Sequence, residues 1–98
     1  MIGIDITTIS RFEKIDLKKL GRKLGKKIES PKHAAKVWAC YESLTKAVGH
    51  SLDIKKLEFT FPPNQRPTVH DPYGILNGDY ELSLAHEGDL LTAISIKI

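Results

Sequence analysis

Ser30-Pro31-Lys32-His33-Ala34-Ala35-Lys36-Val37-Trp38-Ala39-Cys40-Tyr41-Glu42-Ser43-Leu44-Thr45-Lys46-Ala47-Val48-Gly49 reads as one helix with both ends marked. Ser30 offers an oxygen to free backbone N–H groups, Pro31 fits the first helical position without losing a needed donor, and Gly49 is placed to end the helix. Val37, Cys40, Leu44, Ala47 and Val48 recur at helical spacing on an apolar face, flanked by Trp38 and Tyr41. Glu42 and Lys46 are four residues apart and project on the same side. Taken alone, they form an ordinary exposed ion pair worth about 0.3–0.5 kcal/mol.

Upstream of this helix, Ile2, Ile4 and Ile6 alternate with Gly3 and Asp5. That is the period of a strand, Met1 to Ile6, with one buried face of isoleucines and Asp5 opposite them. Thr7 or Thr8 can cap a short helix with Ile9, Phe12 and Ile15 toward the core and Arg11 and Lys14 exposed. Asp16 caps a second run in which Leu17, Leu20, Leu24 and Ile28 form a narrow apolar stripe among lysines and arginines. Gly21 and Gly25 cost this helix about 1 kcal/mol each relative to Ala, so it should be frayed or broken.

Downstream, Leu57 to Phe61 alternates as a strand, and Pro62-Pro63-Asn64-Gln65-Arg66-Pro67 must leave the sheet or lie at its edge. Thr68 to His70 can pair back, and turns follow at Asp71–Gly74 and Asn77-Gly78. Tyr80 to Ala85 and Leu90 to Ile98 form a hairpin across Glu87-Gly88-Asp89. The expected class is α+β, with an antiparallel β-meander packed on a long central helix, and residues 1–98 form one domain.

Ninety-eight residues bury only about 60–65% of the unfolded chain's surface, so association with further copies would help. Hydrophobic content of 41% and charged content of 28% describe a water-soluble chain, and no apolar run approaches a membrane span. With one cysteine, Cys40, no internal disulfide can form; with no basic, cleavable leader at Met1 to Asp5, the expected setting is a reducing cytoplasm. Cys40 reads as a buried structural thiol, and no Cys/His spacing suggests zinc. His33, His50 and His70 read as surface or turn residues.

The net charge of +3 conceals an asymmetry: Arg11 to Lys36 holds ten Lys/Arg against three acidic residues, while the remainder of the chain is acidic. Such a segment is a solvated helix face or a docking surface for an anionic partner. Nucleic acid is disfavoured, because aromatic and Gly-rich readout elements are scarce.

Three polar features share the right chemistry: Asp5, Glu42 with Lys46, and Ser83-x-x-His86. Two carboxylates on separate elements suit Mg²⁺ when phosphate and water supply its other ligands. A lysine one turn away could neutralise phosphate charge, and a histidine with a hydroxyl neighbour could hold a second anionic group.

These residues resemble the holo-acyl-carrier-protein synthases, the small phosphopantetheinyl transferases. Gly3-Ile4-Asp5-Ile6 is similar to that family's opening strand. Trp38 to Ala47 is similar to its aromatic-x-x-Lys-Glu-Ala-x-x-Lys-Ala helix, Asn64-Gln65-Arg66-Pro67 to its inter-strand turn, and Ser83-Leu84-Ala85-His86 to the segment before its last strand. The resemblance implies transfer of 4′-phosphopantetheine from coenzyme A to a serine of apo acyl carrier protein, in fatty acid biosynthesis. It implies Mg²⁺ on Asp5 and Glu42, Lys46 beside the attacked phosphate, and Ser83 and His86 at the nucleotide end of coenzyme A. Arg11 and Lys14 would meet the acidic carrier protein, and a homotrimer would bring Asp5 and Glu42 to a neighbour's His86. Two departures stand out. Tyr41 occupies the position of the family's lysine, with Lys36 the nearest alternative cation on the helix, and the segment before the central helix is short. A second reading is therefore a homologue that binds coenzyme A or a carrier protein without turnover.

Overall fold

The helix read from the sequence, α2 (Pro31–Val48), begins and ends at its capping residues in a computed structural model that describes residues 1–98. The Ser30 side chain accepts a hydrogen bond from the His33 N–H at 3.0 Å, and Gly49 turns the chain off at φ 93° in the left-handed region. Its apolar face is buried as the spacing requires: Val37, Cys40, Leu44, Ala47 and Val48 are all in the core, joined by Ala34, Ala35, Ala39 and Ser43.

Five strands accompany it: β1 (Ile2–Thr8), β2 (Glu58–Thr60), β3 (Thr68–His70), β4 (Tyr80–Glu87) and β5 (Leu90–Lys97). The α+β class and antiparallel pairing hold, but the strands do not form one meander. They divide into a three-stranded sheet ordered β1-β5-β4 and a separate β2-β3 ribbon. Pro62–Pro67, with three prolines and Asn64 at φ 58°, forms the loop that joins the two strands of the ribbon, and the division falls between β3 and β4, where the turns of residues 71–79, with Gly74 and Gly78 at positive φ, lead the chain away.

Before α2, the short helix expected after Thr8 is only a 3-10 turn, Ser10–Phe12. Phe12 is buried as expected, whereas Ile15 lies beyond the turn and is exposed. Helix α1 (Leu17–Leu24) is capped by Asp16, whose carboxylate accepts from the Lys18 and Lys19 N–H groups. It stops at Gly25, in the left-handed conformation at φ 67°. The run of leucines is thus ended cleanly by a glycine that serves as its C-cap.

The largest departure concerns β1. Ile2, Ile4 and Ile6 are 59%, 49% and 64% exposed, while Gly3 and Thr7 are buried and Asp5 is partly buried. The face that packs on α2 is therefore Gly3-Asp5-Thr7. Gly3 is the reason: a Cβ there would fall 1.9 Å from the Ser43 carbonyl oxygen and 2.6 Å from the Ala47 nitrogen. Only glycine allows this backbone-to-backbone approach. In register with Gly3 on β5 is Ser95, whose hydroxyl lies 2.7 Å from the Ser43 hydroxyl, fully buried. The remainder of the inner face is Leu91 and Ala93 of β5 and Tyr80 and Leu82 of β4, all core residues. The isoleucines, with Leu90 and Ile96, cover the outer face.

Replacing Gly3 by Ala inserts a methyl group into backbone that cannot yield. The expected loss is about 3 kcal/mol or more in a denaturant melt, and a loss below about 1 kcal/mol would contradict the contact. Cys40 is fully buried, and burial pushes its thiol up to about 12. At pH 8 a thiol reagent should label the native protein slowly, at the rate of opening, and promptly once guanidinium unfolds it; prompt labelling of the native chain would place Cys40 elsewhere.

Candidate functional site

Packing Gly3 against α2 sets the next inward residue of β1, Asp5, beside the last turns of the helix. Lys46 folds over this junction: its Nζ lies 3.1 Å from Asp5 Oδ1 and 3.0 Å from the Ile4 carbonyl oxygen. The Asp5 side chain is only 14% exposed, whereas that of Lys46 is 53% exposed. The helix-surface pair of Glu42 and Lys46 is not formed, because Lys46 has found a carboxylate on another element. Glu42, one turn before Lys46 on the same side of α2, is half-buried and without an ion pair. Asp5 and Lys46 thus meet where β1 crosses α2, with Glu42 one helical turn before Lys46.

A cleft of about 480 Å³ opens beside this junction, lined by Tyr41, Glu42, Thr45, Lys46, Gly49, His50 and Ser51. The Tyr41 hydroxyl donates to the Leu52 carbonyl at 2.7 Å, and its ring packs against Trp38 at a centroid distance of 5.8 Å. This ties the turn after α2 back onto the helix. Burial, and then the Glu42 and Asp53 carboxylates, push the Tyr41 phenol above its ordinary range, so it stays neutral. His50 lies in the same cleft. It was expected as a surface or turn residue, and it is exposed in the turn that follows Gly49.

The other expected site residues lie apart from this junction within one chain. Ser83 is exposed on β4, at a second cleft of about 490 Å³ lined by Lys36, the Phe61–Pro67 segment and Leu84. His86 is exposed at the far end of β4, where it pairs with Leu91, which in turn pairs with Thr7. The width of β5 thus separates His86 from the edge that carries Asp5. Lys36 does not reach toward Glu42; its ammonium sits 5.6 Å from the centre of the Phe61 ring. Arg11 and Lys14 are exposed, and the Arg11 guanidinium lies over Phe12 and Trp38 at 5.5 and 5.6 Å. Asp89 in the β4–β5 turn anchors this region by accepting from the Ser10 N–H at 2.9 Å and its hydroxyl at 2.6 Å, bonds that hold the Asp89 carboxyl below its ordinary range.

The donor set suits a hard divalent cation. Asp5, largely covered, and Glu42, without an ion pair, are carboxylates on neighbouring elements, and Mg²⁺ is held by one or two such groups when phosphates complete its shell. No group of three or more His, Cys, Asp or Glu is gathered to hold a metal ion.

No protein-family model matches the chain. It is 28% identical, over 117 aligned residues spanning all of this chain and 97% of the relative, to the holo-[acyl-carrier-protein] synthase of Aliarcobacter butzleri (strain RM4018). Its fold is similar to that of Helicobacter pylori holo-[acyl-carrier-protein] synthase in complex with coenzyme A, with a TM-score of 0.75, 20% identity and 98% of each chain covered. The holo-(acyl-carrier-protein) synthase of Bacillus anthracis str. Ames gives 0.73 at 23% identity, covering 96% of this chain and 91% of that one. The Plasmodium yoelii enzyme gives 0.70 at 22% identity, covering 96% and 90%. The fold that places Asp5 of β1 against α2 is that of these proteins, and the chain is a homologue of the holo-acyl-carrier-protein synthases.

Proposed function

We propose that this chain, residues 1–98 acting as one unit, transfers 4′-phosphopantetheine from coenzyme A to a serine of apo acyl carrier protein, in fatty acid biosynthesis in the cytoplasm. The observation that carries this reading is the Asp5–Lys46 contact with Glu42 one turn away, in a chain with the synthase fold. In the reaction, the serine oxygen bonds to the phosphorus that bears the pantetheine arm. The bond from that phosphorus to the oxygen bridging it to the nucleotide phosphate breaks, 3′,5′-adenosine bisphosphate leaves, and the serine proton passes to solvent.

Such a displacement needs charge neutralisation and in-line placement more than covalent help. Asp5 and Glu42 would hold Mg²⁺, which when bound supplies neutralisation of the pyrophosphate oxygens. Lys46 keeps a positive charge beside the same phosphates. Ser83 and His86 would hold the nucleotide end of coenzyme A. The basic surface from Arg11 and Lys14 onward complements an acidic carrier, and such docking weakens as salt screens it.

Two features support assembly of three copies. The outer sheet face is apolar without cover, with Ile2, Ile4, Ile6, Leu90 and Ile96 all exposed, and His86 lies away from the carboxylates within one chain. An interface over this face would bury the isoleucines and let His86 of one subunit approach Asp5 of the next. Sedimentation should give a trimer mass, and Ile4→Glu should shift it to monomer with loss of transfer; a wild-type monomer at working concentration would rule the assembly out.

Incubation with coenzyme A, Mg²⁺ and apo acyl carrier protein, read by the carrier's mass, tests the activity. The expected result is a gain of one phosphopantetheine, abolished by chelation and reduced at least about a hundredfold in Asp5→Ala and Glu42→Ala. A second reading, a homologue that binds coenzyme A without turnover, is favoured by Tyr41, whose hydroxyl is engaged with Leu52 and brings no cation. An unchanged carrier mass with folded protein that binds coenzyme A would select it.

A further inference from the structure

Asp89, in the β4–β5 turn, reaches back to the segment that follows β1. Its backbone carbonyl accepts from the Ile9 N–H at 3.0 Å, and its carboxylate accepts from the Ser10 N–H at 2.9 Å and the Ser10 hydroxyl at 2.6 Å. Gly88, at φ 56° in the left-handed region, makes the tight reversal that precedes it. The 3-10 turn Ser10–Phe12 has no side-chain cap of its own at Ile9. Its place is set by Asp89 on one side and by Phe12, buried in the core, on the other.

Arg11 lies between these two fixed points. Its side chain is exposed and in no ion pair, and its guanidinium is drawn to the Phe12 and Trp38 rings at 5.5 and 5.6 Å. Attraction to two rings restricts the side chain without spending its N–H donors on a carboxylate of this chain, so the fork stays open to a planar anion. Trp38 joins this position to the candidate site. Its ring packs on Tyr41 at 5.8 Å, and Tyr41 lines the cleft of Glu42 and Lys46. An acidic group held by Arg11 is thus separated from that cleft by one aromatic pair.

We propose that Asp89 and Trp38 are positioning residues for Arg11, Asp89 fixing its backbone and Trp38 its guanidinium, so that Arg11 takes an acidic side chain of the carrier protein beside the cleft. The assignment rests on the transferase reading for the identity of that partner.

Calorimetric titration of the full chain with apo acyl carrier protein, and separately with coenzyme A, tests it. Arg11→Ala should weaken carrier binding about tenfold and Asp89→Ala about fivefold, with coenzyme A affinity changed less than about twofold in each. The double variant Arg11→Ala/Asp89→Ala should bind the carrier as Arg11→Ala does, because Asp89 acts through the arginine. Asp89→Asn, whose amide oxygen still accepts from the Ser10 N–H, should recover most of the loss. Trp38 is the sole tryptophan, so its emission should change as a tryptophan-free carrier binds the wild-type chain, and not in Arg11→Ala. Undiminished carrier affinity in Asp89→Ala would overturn the proposal, as would losses that add in the double variant or that fall equally on coenzyme A. A Trp38 emission that ignores the carrier would overturn the role of Trp38. A wild-type chain that binds the carrier through Arg11 yet transfers no phosphopantetheine would remove the transferase reading and leave the positioning roles standing. A wild-type chain that binds no carrier would overturn both.

Discussion

At Gly3 the sheet and helix α2 meet with no side chain between them, and the candidate site is positioned by that contact. The Ser43 carbonyl and Ala47 nitrogen occupy the space a Cβ would need, and the Ser43–Ser95 hydroxyl pair fixes the adjacent strand at the same level. Hydroxyls buried this deeply are costly unless paired, so their mutual hydrogen bond both satisfies them and specifies the docking register. With register fixed, the alternation of the strand leaves no freedom about which residue follows on the inner face. It is Asp5, and the helix turn above it carries Lys46.

The same constraint disposes of the isoleucines. A strand whose small residues must face the helix turns its large ones outward, so β1 presents an apolar surface where a solitary sheet would present a polar one. Site and exposed face are consequences of one packing decision. The charge arrangement follows as well: Lys46 holds the covered carboxylate of Asp5, and Glu42 is left with its charge unpaired at the mouth of a cleft that also receives His50.

Much of this was legible in the chain. Ser30-Pro31 and Gly49 mark the ends of α2, and its buried face follows the apolar spacing. The β4–β5 hairpin and the pairing of Thr68–His70 with β2 were also readable from alternation and turn residues. Which face of β1 is buried was not, because a period of two is symmetric between its faces and hydrophobicity alone favours the isoleucines. The decisive fact, a close backbone approach at Gly3, belongs to a residue 40 positions away at Ser43. Lys46 similarly prefers a partner on β1 to one on its own helix, a choice local spacing does not contain. The splitting of the sheet depends on how the turns of residues 71–79 carry the chain from β3 to β4, and the place of Lys36 against Phe61 on where the end of β2 lies, neither of which local spacing contains. Asp5 and Glu42 stand out as carboxylates on separate elements from the residues alone, and the resemblance in Gly3-Ile4-Asp5-Ile6 and Trp38–Ala47 is to proteins whose fold this chain shares.

Binding of a divalent cation by Asp5 and Glu42 at the β1–α2 crossing is open to a direct measurement. Titrating Mn²⁺ into ¹⁵N-labelled protein, with adenosine bisphosphate present, tests it most directly through paramagnetic loss of amide signals. Signals of Asp5, Glu42 and their neighbours Ile4, Ile6 and Lys46 should fade first, and Asp5→Asn should abolish this focus. Uniform fading, or a focus at other carboxylates such as Asp53 and Glu58, would contradict it.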